Sequence, residues 1–418
     1  MPTDGVNSLL GGYRVLDLTN EKGMFAGKIL ADMGADVIKV ERPGGDPVRK
    51  IGPFYKDIPH PEKSLFWFAY NNDKRGITLD IESTQGRDIF KELIKTADVI
   101  IESFPVGYLN TIGLDYPVLS QINEQLIMAS ISPFGQSGPY QNYKGEDIVV
   151  LAMGGLMQVT GDEDRAPLQV GSPQVYLASG LDAVEAILIA LYARPIIGRG
   201  QFIDVSARDG VVWSESEMIP YWTMTQQIPS RHGRFRETPG GVRVPVIWPC
   251  KDGYINYIVQ GGQPGAERNI IMTKWLDEEG FATDYLRNKD WYKFDWRKTS
   301  QEEMDLFLGP LLKLFAAHTR KELYKEATKR VIGLTLTSDV KDLVESPQLN
   351  ARNYWIKLEH PELNDDITYP GSFVVMSETP LKLQRRAPLV GEHNSEIYQK
   401  ELGILEQEIT NLKQSGII

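Results

Sequence analysis

Cysteine is almost absent. Cys250 is the only one in 418 residues, which excludes an intrachain disulfide and a metal site built on four thiolates. Histidine is scarce as well: His60, His232, His318, His360 and His393 lie far apart. None makes HExxH or another short ligand spacing, so neither a structural nor a catalytic zinc is expected. Positive charge is in deficit, with 45 Lys and Arg against 56 Asp and Glu and a formal net charge of -11. That balance argues against nucleic acid as a bulk partner, while leaving room for an anionic ligand in a local basic pocket. No long uninterrupted apolar run reads as membrane-spanning, and the opening MPTDGVNSLL lacks the basic and apolar regions of a secretory signal. A reducing cytoplasm, away from membranes, is the expected home. Two motifs are also missing. GxSxG does not occur at a strand-to-helix elbow, which weighs against a hydrolase of that class. GxGxxG is replaced by TNEKGMFAG, with only Gly23 and Gly27, so a conventional dinucleotide site is not expected.

What is present is the composition of a globular chain, 42% hydrophobic and 24% charged, long enough to bury a sizeable core in two or three domains. RVLDLT from Arg14 reads as a buried strand, AGKILADM as a helix and DVIKVE as a second strand after a turn at Gly34. A second round follows in GITLDI, a helix over 85–96 and ADVIIES, and QLIMASISPFG repeats the strand-to-loop step. Strands alternating with helices predict an α/β fold, a Rossmann-like parallel sheet with its ligand crevice at the strand C-terminal ends. LASGLDAVEAILIALYAR is a strong helix pattern over 177–194, and GRGQFIDVSARDG gives a turn and another strand. Prolines and glycines then concentrate over 228–265, which places a boundary near 225. The amphipathic run FLGPLLKLFAAHTRKELYKEATKR belongs to a smaller α+β region, and the tail closes with a surface helix. The expected division is 1–225 and 336–418 as a large domain and 226–335 as a small one. The glycine turns at 239–241 and 261–262 read as lids or, equally, as surface turns.

Candidate site residues cluster at the predicted strand ends. Lys39, Glu41 and Arg42 close the second strand ahead of PGGD. They read either as a solvated terminus or as a guanidinium fork reaching a phosphate in the crevice. Lys74, Arg75 and Lys144 are candidates to complete a positive rim. The stretch GSPQVYLASG offers Gln174, Tyr176 and Ser179, and no carboxylate.

These segments resemble the class III CoA-transferases, the group that includes formyl-CoA transferases and the carnitine and bile-acid enzymes. The resemblance rests on GGYRVLDLT, LADMGADVIKVERPGGDPVR, NNDKRGITLD, ADVIIESFPVGYLNTIGLD, ISPFGQSGPY, GGLMQVTG, RGQFIDVSARDG, ESPQLNARNYW and APLVGEHN, in family order from 11 to 394. It implies a large domain built from both chain ends, a small middle domain and two subunits interlocked like links. It also implies a coenzyme A thioester as substrate or ligand, with no covalently bound cofactor, held near Arg42, Asn71, Ser103, Phe104 and Lys144. The arginine usual after FxPGxL is Thr111 here. Family members usually carry an aspartate nucleophile in GxPxxDxxxG, and Tyr176 occupies that column. A phenol is neutral near pH 7, and an aryl ester would not reproduce the anhydride-to-thioester exchange. Asp182 lies six residues on, about 9 Å along a helix, and Glu163 and Asp164 sit in GDEDRAP, a solvated turn. Racemases of the same fold use a histidine beside an aspartate, and here Glu146 precedes Asp147 instead.

The expectation is therefore a non-catalytic or pocket-shaping subunit of a heteromeric CoA-transferase. Its partner would be a homologous subunit carrying the catalytic aspartate, and the transfer would run from succinyl-CoA to an aromatic dicarboxylic acid such as benzylsuccinate. Aromatic stretches in the middle region, PYWTMTQ and YINYI among them, suit a phenyl-bearing acid or ordinary core packing. Two alternatives stand beside this: a homomeric CoA-transferase with a non-aspartate mechanism, and an acyl-CoA-binding regulatory protein without turnover.

Overall fold

The computed structural model describes residues 8–238 and 240–418. Residues 1–7, which open the stretch read above as lacking a secretory signal, and Pro239 of the 239–241 turn lie outside the described residues. The chain forms two compact units. The larger comprises residues up to 156 together with 170–220 and 347–418, and the smaller comprises 157–169 and 221–346. The larger unit is thus left at 220 and rejoined at 347, against expected boundaries of 225 and 336, and a short excursion at 157–169 had no compositional signal.

In the larger unit six strands make one sheet: β1 (Arg14–Leu18), β2 (Asp36–Glu41), β3 (Arg75–Thr78), β4 (Val99–Glu102), β5 (Ile127–Ser132) and β6 (Phe202–Ser206). Their order is β3-β2-β1-β4-β5-β6, all parallel. The central strands are buried on both faces, in keeping with sequences rich in apolar residues. On one face packs α1 (Met24–Asp32), with α2 (Leu65–Asn71) beside it; α3 (Thr84–Ile94) packs in the opposite core together with Leu109, Leu119, Ile409 and Leu412. Between β4 and β5 lie the short α4 (Tyr108–Thr111) and α5 (Tyr116–Ile122). Then follow α6 (Asp147–Gly154), one turn of α7 (Leu156–Val159), the 24-residue α8 (Gln174–Ile197) and α9 (Ala207–Ser214).

By length and composition α8 would be apolar enough to cross a membrane, which the sequence reading did not allow for. Asp182, Glu185 and Arg194 interrupt its charge-free stretches without lowering its mean hydropathy far enough. Its inner face, Ala183, Val184, Ile187, Ala190 and Leu191, is part of the core under the sheet. Gly180 makes that packing possible: a Cβ there would lie 3.2 Å from Phe25 of α1.

The return segment completes the far edge of the sheet. His393 donates its backbone N–H to Gly76 and accepts from it through Nδ1, and Asn394 accepts from the Thr78 N–H through Oδ1. Tyr398 donates its hydroxyl to Thr78 O at 2.7 Å. In the smaller unit a three-stranded antiparallel sheet packs against helices Gly262–Glu278, Gln301–Ala317 and Arg320–Lys329 around Trp248, Trp275 and Phe315.

Candidate functional site

β1 and β4 are neighbours whose chains leave in opposite directions, one toward β2 and one toward β5. Their diverging C-terminal ends open a crevice at the point where the strand order reverses, the position where ligands bind in open parallel sheets. The two loops are latched. The Asn20 N–H donates to Ser103 Oγ at 2.9 Å, and that hydroxyl donates to Asn20 Oδ1 at 2.9 Å. Beside the latch is a cavity of about 590 Å³ with a floor of Leu18, Val40, Leu79 and Ile81. Phe104 and Tyr108 form one wall, their rings 4.8 Å apart and inclined by 34°.

Charge in this cavity is unevenly placed. Arg42 is its one basic lining residue, exposed and paired with no carboxylate among the described residues. The acidic lining residues are Glu21, Glu41, Asp46, Asp80 and Glu82. Glu41 is neutralised by Arg49, whose guanidinium donates to it at 2.6 and 2.7 Å and lies 3.8 Å over the Trp67 ring. Tyr108 donates its hydroxyl to Glu82 at 2.6 Å, and burial followed by that carboxylate pushes the phenol up to about 12. Arg42 is thus free to receive a phosphate, and the two rings offer a face to a flat heteroaromatic.

Beneath the β1–α1 loop the space is filled by protein charge. Lys74 Nζ donates to Asp17 Oδ2 at 2.7 Å, to Met24 O at 2.9 Å and to Asn71 Oδ1 at 3.0 Å. Lys39 lies 3.6 Å from the same carboxylate and donates to Thr19 O. All four side chains are fully buried. Burial alone would raise the Asp17 carboxyl, but Lys39 and Lys74 overturn that and hold it below its ordinary value. Burial brings the Lys74 ammonium down to about 8. Gly27 of α1 is required by this lattice, because a Cβ would come 2.3 Å from Asp17 Oδ2.

Tyr176 stands in the first turn of α8, 8% exposed. Its hydroxyl donates to Glu146 Oε2 at 3.3 Å, and Lys22 pairs with the other oxygen of Glu146 at 3.5 Å. The neighbouring Asp147 accepts from the Val175 N–H at 3.2 Å. Burial, then the carboxylates of Glu146 and Glu21, raises the phenol above its already high ordinary value. At neutral pH the ring is a hydrogen-bond donor and not a phenolate.

The sequence model of CoA-transferase family III matches residues 10–394. The chain belongs to that family. Among curated relatives, the family III chain is 33% identical to the succinyl-CoA:(R)-benzylsuccinate CoA-transferase subunit BbsE of Thauera aromatica, over 97% of each chain. It is 32% identical to the formyl-CoA:oxalate CoA-transferase of Streptomyces avermitilis, over 98% of this chain and 99% of that one. Among solved structures, a CAIB/BAIF family protein from Brucella suis superposes with a TM-score of 0.79 at 29% identity, covering 94% of this chain and 99% of that one.

Of the site residues expected for this family III chain, Arg42, Ser103 and Phe104 line the cavity. Asn71 does not: it is fully buried, its amide spent on Lys74 and Trp67 O. Lys144 is exposed in the loop before α6 and outside the cavity lining. The proposed positive rim is corrected more sharply. Lys74 belongs to the buried lattice, and Arg75 is held by Asp36, Glu396 and Glu401. Thr111 donates to Tyr108 O within α4, and Asp182 packs against Gly210 of α9. Sequence reasoning missed Glu21, which lines the cavity and also bears electrostatically on Tyr176. Its only signal was its place in the loop that follows β1.

Proposed function

We propose that this chain binds an acyl-CoA in the β1/β4 cavity and acts as a non-catalytic, pocket-shaping subunit of a heteromeric CoA-transferase. Its partner is a homologous chain with an aspartate in the Tyr176 column, and the assembly moves CoA from succinyl-CoA to an aromatic dicarboxylic acid of the benzylsuccinate kind. The observation that carries this reading is Tyr176 itself: a buried, protonated phenol hydrogen-bonded to Glu146 where a nucleophilic carboxylate is expected. Thioester exchange through an anhydride needs a carboxylate that can be acylated and then attacked by the thiolate, and a phenol of raised pKa supplies neither step.

Two further observations support the reading. A relative at 33% identity is itself named as a subunit. In addition, α8 leaves Leu181, Ile189, Tyr192 and Ile196 exposed, recurring along one side of the helix in a spacing suited to burial against a second chain. The interlocked dimer implied by the family resemblance would cover such a surface.

The test is succinyl-CoA to benzylsuccinate transfer, measured with the purified chain alone and after coexpression with an aspartate-bearing homologue, with native mass analysis of both samples. The expected result is turnover and a mixed oligomer only after coexpression. Full activity from a pure homomer would overturn the proposal.

A further inference from the structure

A second cavity, of about 370 Å³, lies between β4, β5 and the 105–117 segment. Its base is set by strand register: Glu102 is paired with Ser130, so both side chains project to the same face of the sheet. Its walls are apolar, with Val106, Leu109 and Met128, and with Tyr116 and Phe202, whose rings stand 5.9 Å apart. A mostly apolar concavity with a few convergent polar groups, within the size range of small-molecule sites, is what a ligand pocket requires.

The charge of its lining identifies the ligand class. Glu102 is 5% exposed and accepts from the Phe104 N–H at 2.7 Å, yet it has no cationic partner among the described residues. Three other buried carboxylates in this unit do: Asp17 holds Lys74, Glu41 holds Arg49 and Asp32 holds Lys28. Burial accordingly raises the Glu102 carboxyl to about 7, with Ser130 and the Phe104 N–H the opposing influences. Asp115 adds a second carboxylate to the lining, and among the described residues no Lys, Arg or His contributes to it. A buried carboxylate without a counter-ion is costly, and a cation seated beside it removes that cost. The rings of Tyr116 and Phe202 add faces that attract a cation.

We infer that this cavity is a binding site for a small organic ammonium, an amine on an apolar body, that is separate from the anion-binding crevice. Anionic acids and acyl-CoA are excluded from it by Glu102 and Asp115.

The test is calorimetric titration of the full-length protein at pH 8 with benzylamine, benzyl alcohol and benzoate, three probes of similar shape and different charge. Benzylamine is expected to saturate one site per chain, with the alcohol at least about tenfold weaker and benzoate silent. Glu102→Gln keeps the shape of the base and removes the charge; it should weaken benzylamine by about tenfold or more, a typical worth of a charge-assisted contact. Asn110→Arg changes an exposed residue at the cavity lip and should weaken benzylamine similarly without depending on a core substitution. Equal binding of the three probes, no saturable benzylamine binding, or undiminished affinity in Asn110→Arg or in folded Glu102→Gln would overturn the inference.

Discussion

At the scale of single residues, the chemistry of this chain is decided by what each buried charge is given to face. Tyr176 faces Glu146, so the phenol donates and does not ionise. Tyr176→Phe removes only that donor, and the coexpressed complex should keep its turnover within about twofold; a loss of a hundredfold or more in steady-state rate would make the hydroxyl a participant in the chemistry. Lys74 faces Asp17. Lys74→Met leaves a fully buried carboxylate with Lys39 alone, and by the usual cost of breaking a buried pair it should lower stability by about 3–5 kcal/mol, read from the urea midpoint. Glu102 faces no cation among the described residues, and its sign is opposite to that of a salt-bridged acid. Its folded pKa is raised from 4.5 to about 7, so the folded state holds a proton that the unfolded chain has released. Stability from this group is present below 4.5 and is lost as pH rises through about 7, a difference on the order of 3 kcal/mol. Glu102→Gln, which cannot ionise, should flatten the fall in stability between pH 5 and 8 by about that amount in urea titrations at the two pH values.

At the scale of elements, close approaches matter more than propensities. Ala is normally favoured over Gly in a helix by up to about 1 kcal/mol, but at Gly27 a methyl would meet the Asp17 carboxylate at 2.3 Å. Gly27→Ala should therefore destabilise, by about 1–3 kcal/mol as in other overpacked sites, visible as a lower thermal midpoint. On the outer side of α8, Ile189→Glu touches a side chain that is 67% exposed. It should leave the chain folded by circular dichroism while abolishing the mixed oligomer in native mass spectra.

The same scale shows what could be read from sequence. The strands around Leu16, Ile38, Ile100 and Met128 were legible because a strand buried on both faces is rich in apolar residues, even where Asp17 and Lys39 interrupt the run, and α8 because its helical pattern extends over many turns. Arg42 was read from its place at a strand end, Ser103 and Phe104 from the family resemblance, and all three line the cavity. Lys74 and Arg75 were misread because a charged residue looks solvated until its partner is known. Asp17 is 57 positions from Lys74, and Glu396 is 321 positions from Arg75. Glu102 and Ser130 meet through strand register, which no local pattern reports.

At the scale of the whole molecule, the larger unit is assembled from three separated stretches of chain. The edge strand β3 is closed by Gly76–His393, Thr78–Asn394 and Thr78–Tyr398 hydrogen bonds, and Asp80 donates its N–H to Ile417 O. A chain ending at residue 386 would lose these partners together with buried Ile397, Tyr398, Ile409 and Leu412, and it should be recovered as an insoluble or protease-sensitive product in limited proteolysis. The same arrangement puts a delay into the protein's biogenesis. β3 is made early, but its neighbours near residue 393 emerge some 315 residues later, a wait of roughly fifteen seconds to a minute at ordinary translation rates. Throughout that interval the nascent sheet exposes an unprotected strand edge, so chaperone engagement during synthesis should have its greatest effect between the appearance of Thr78 and that of Tyr398.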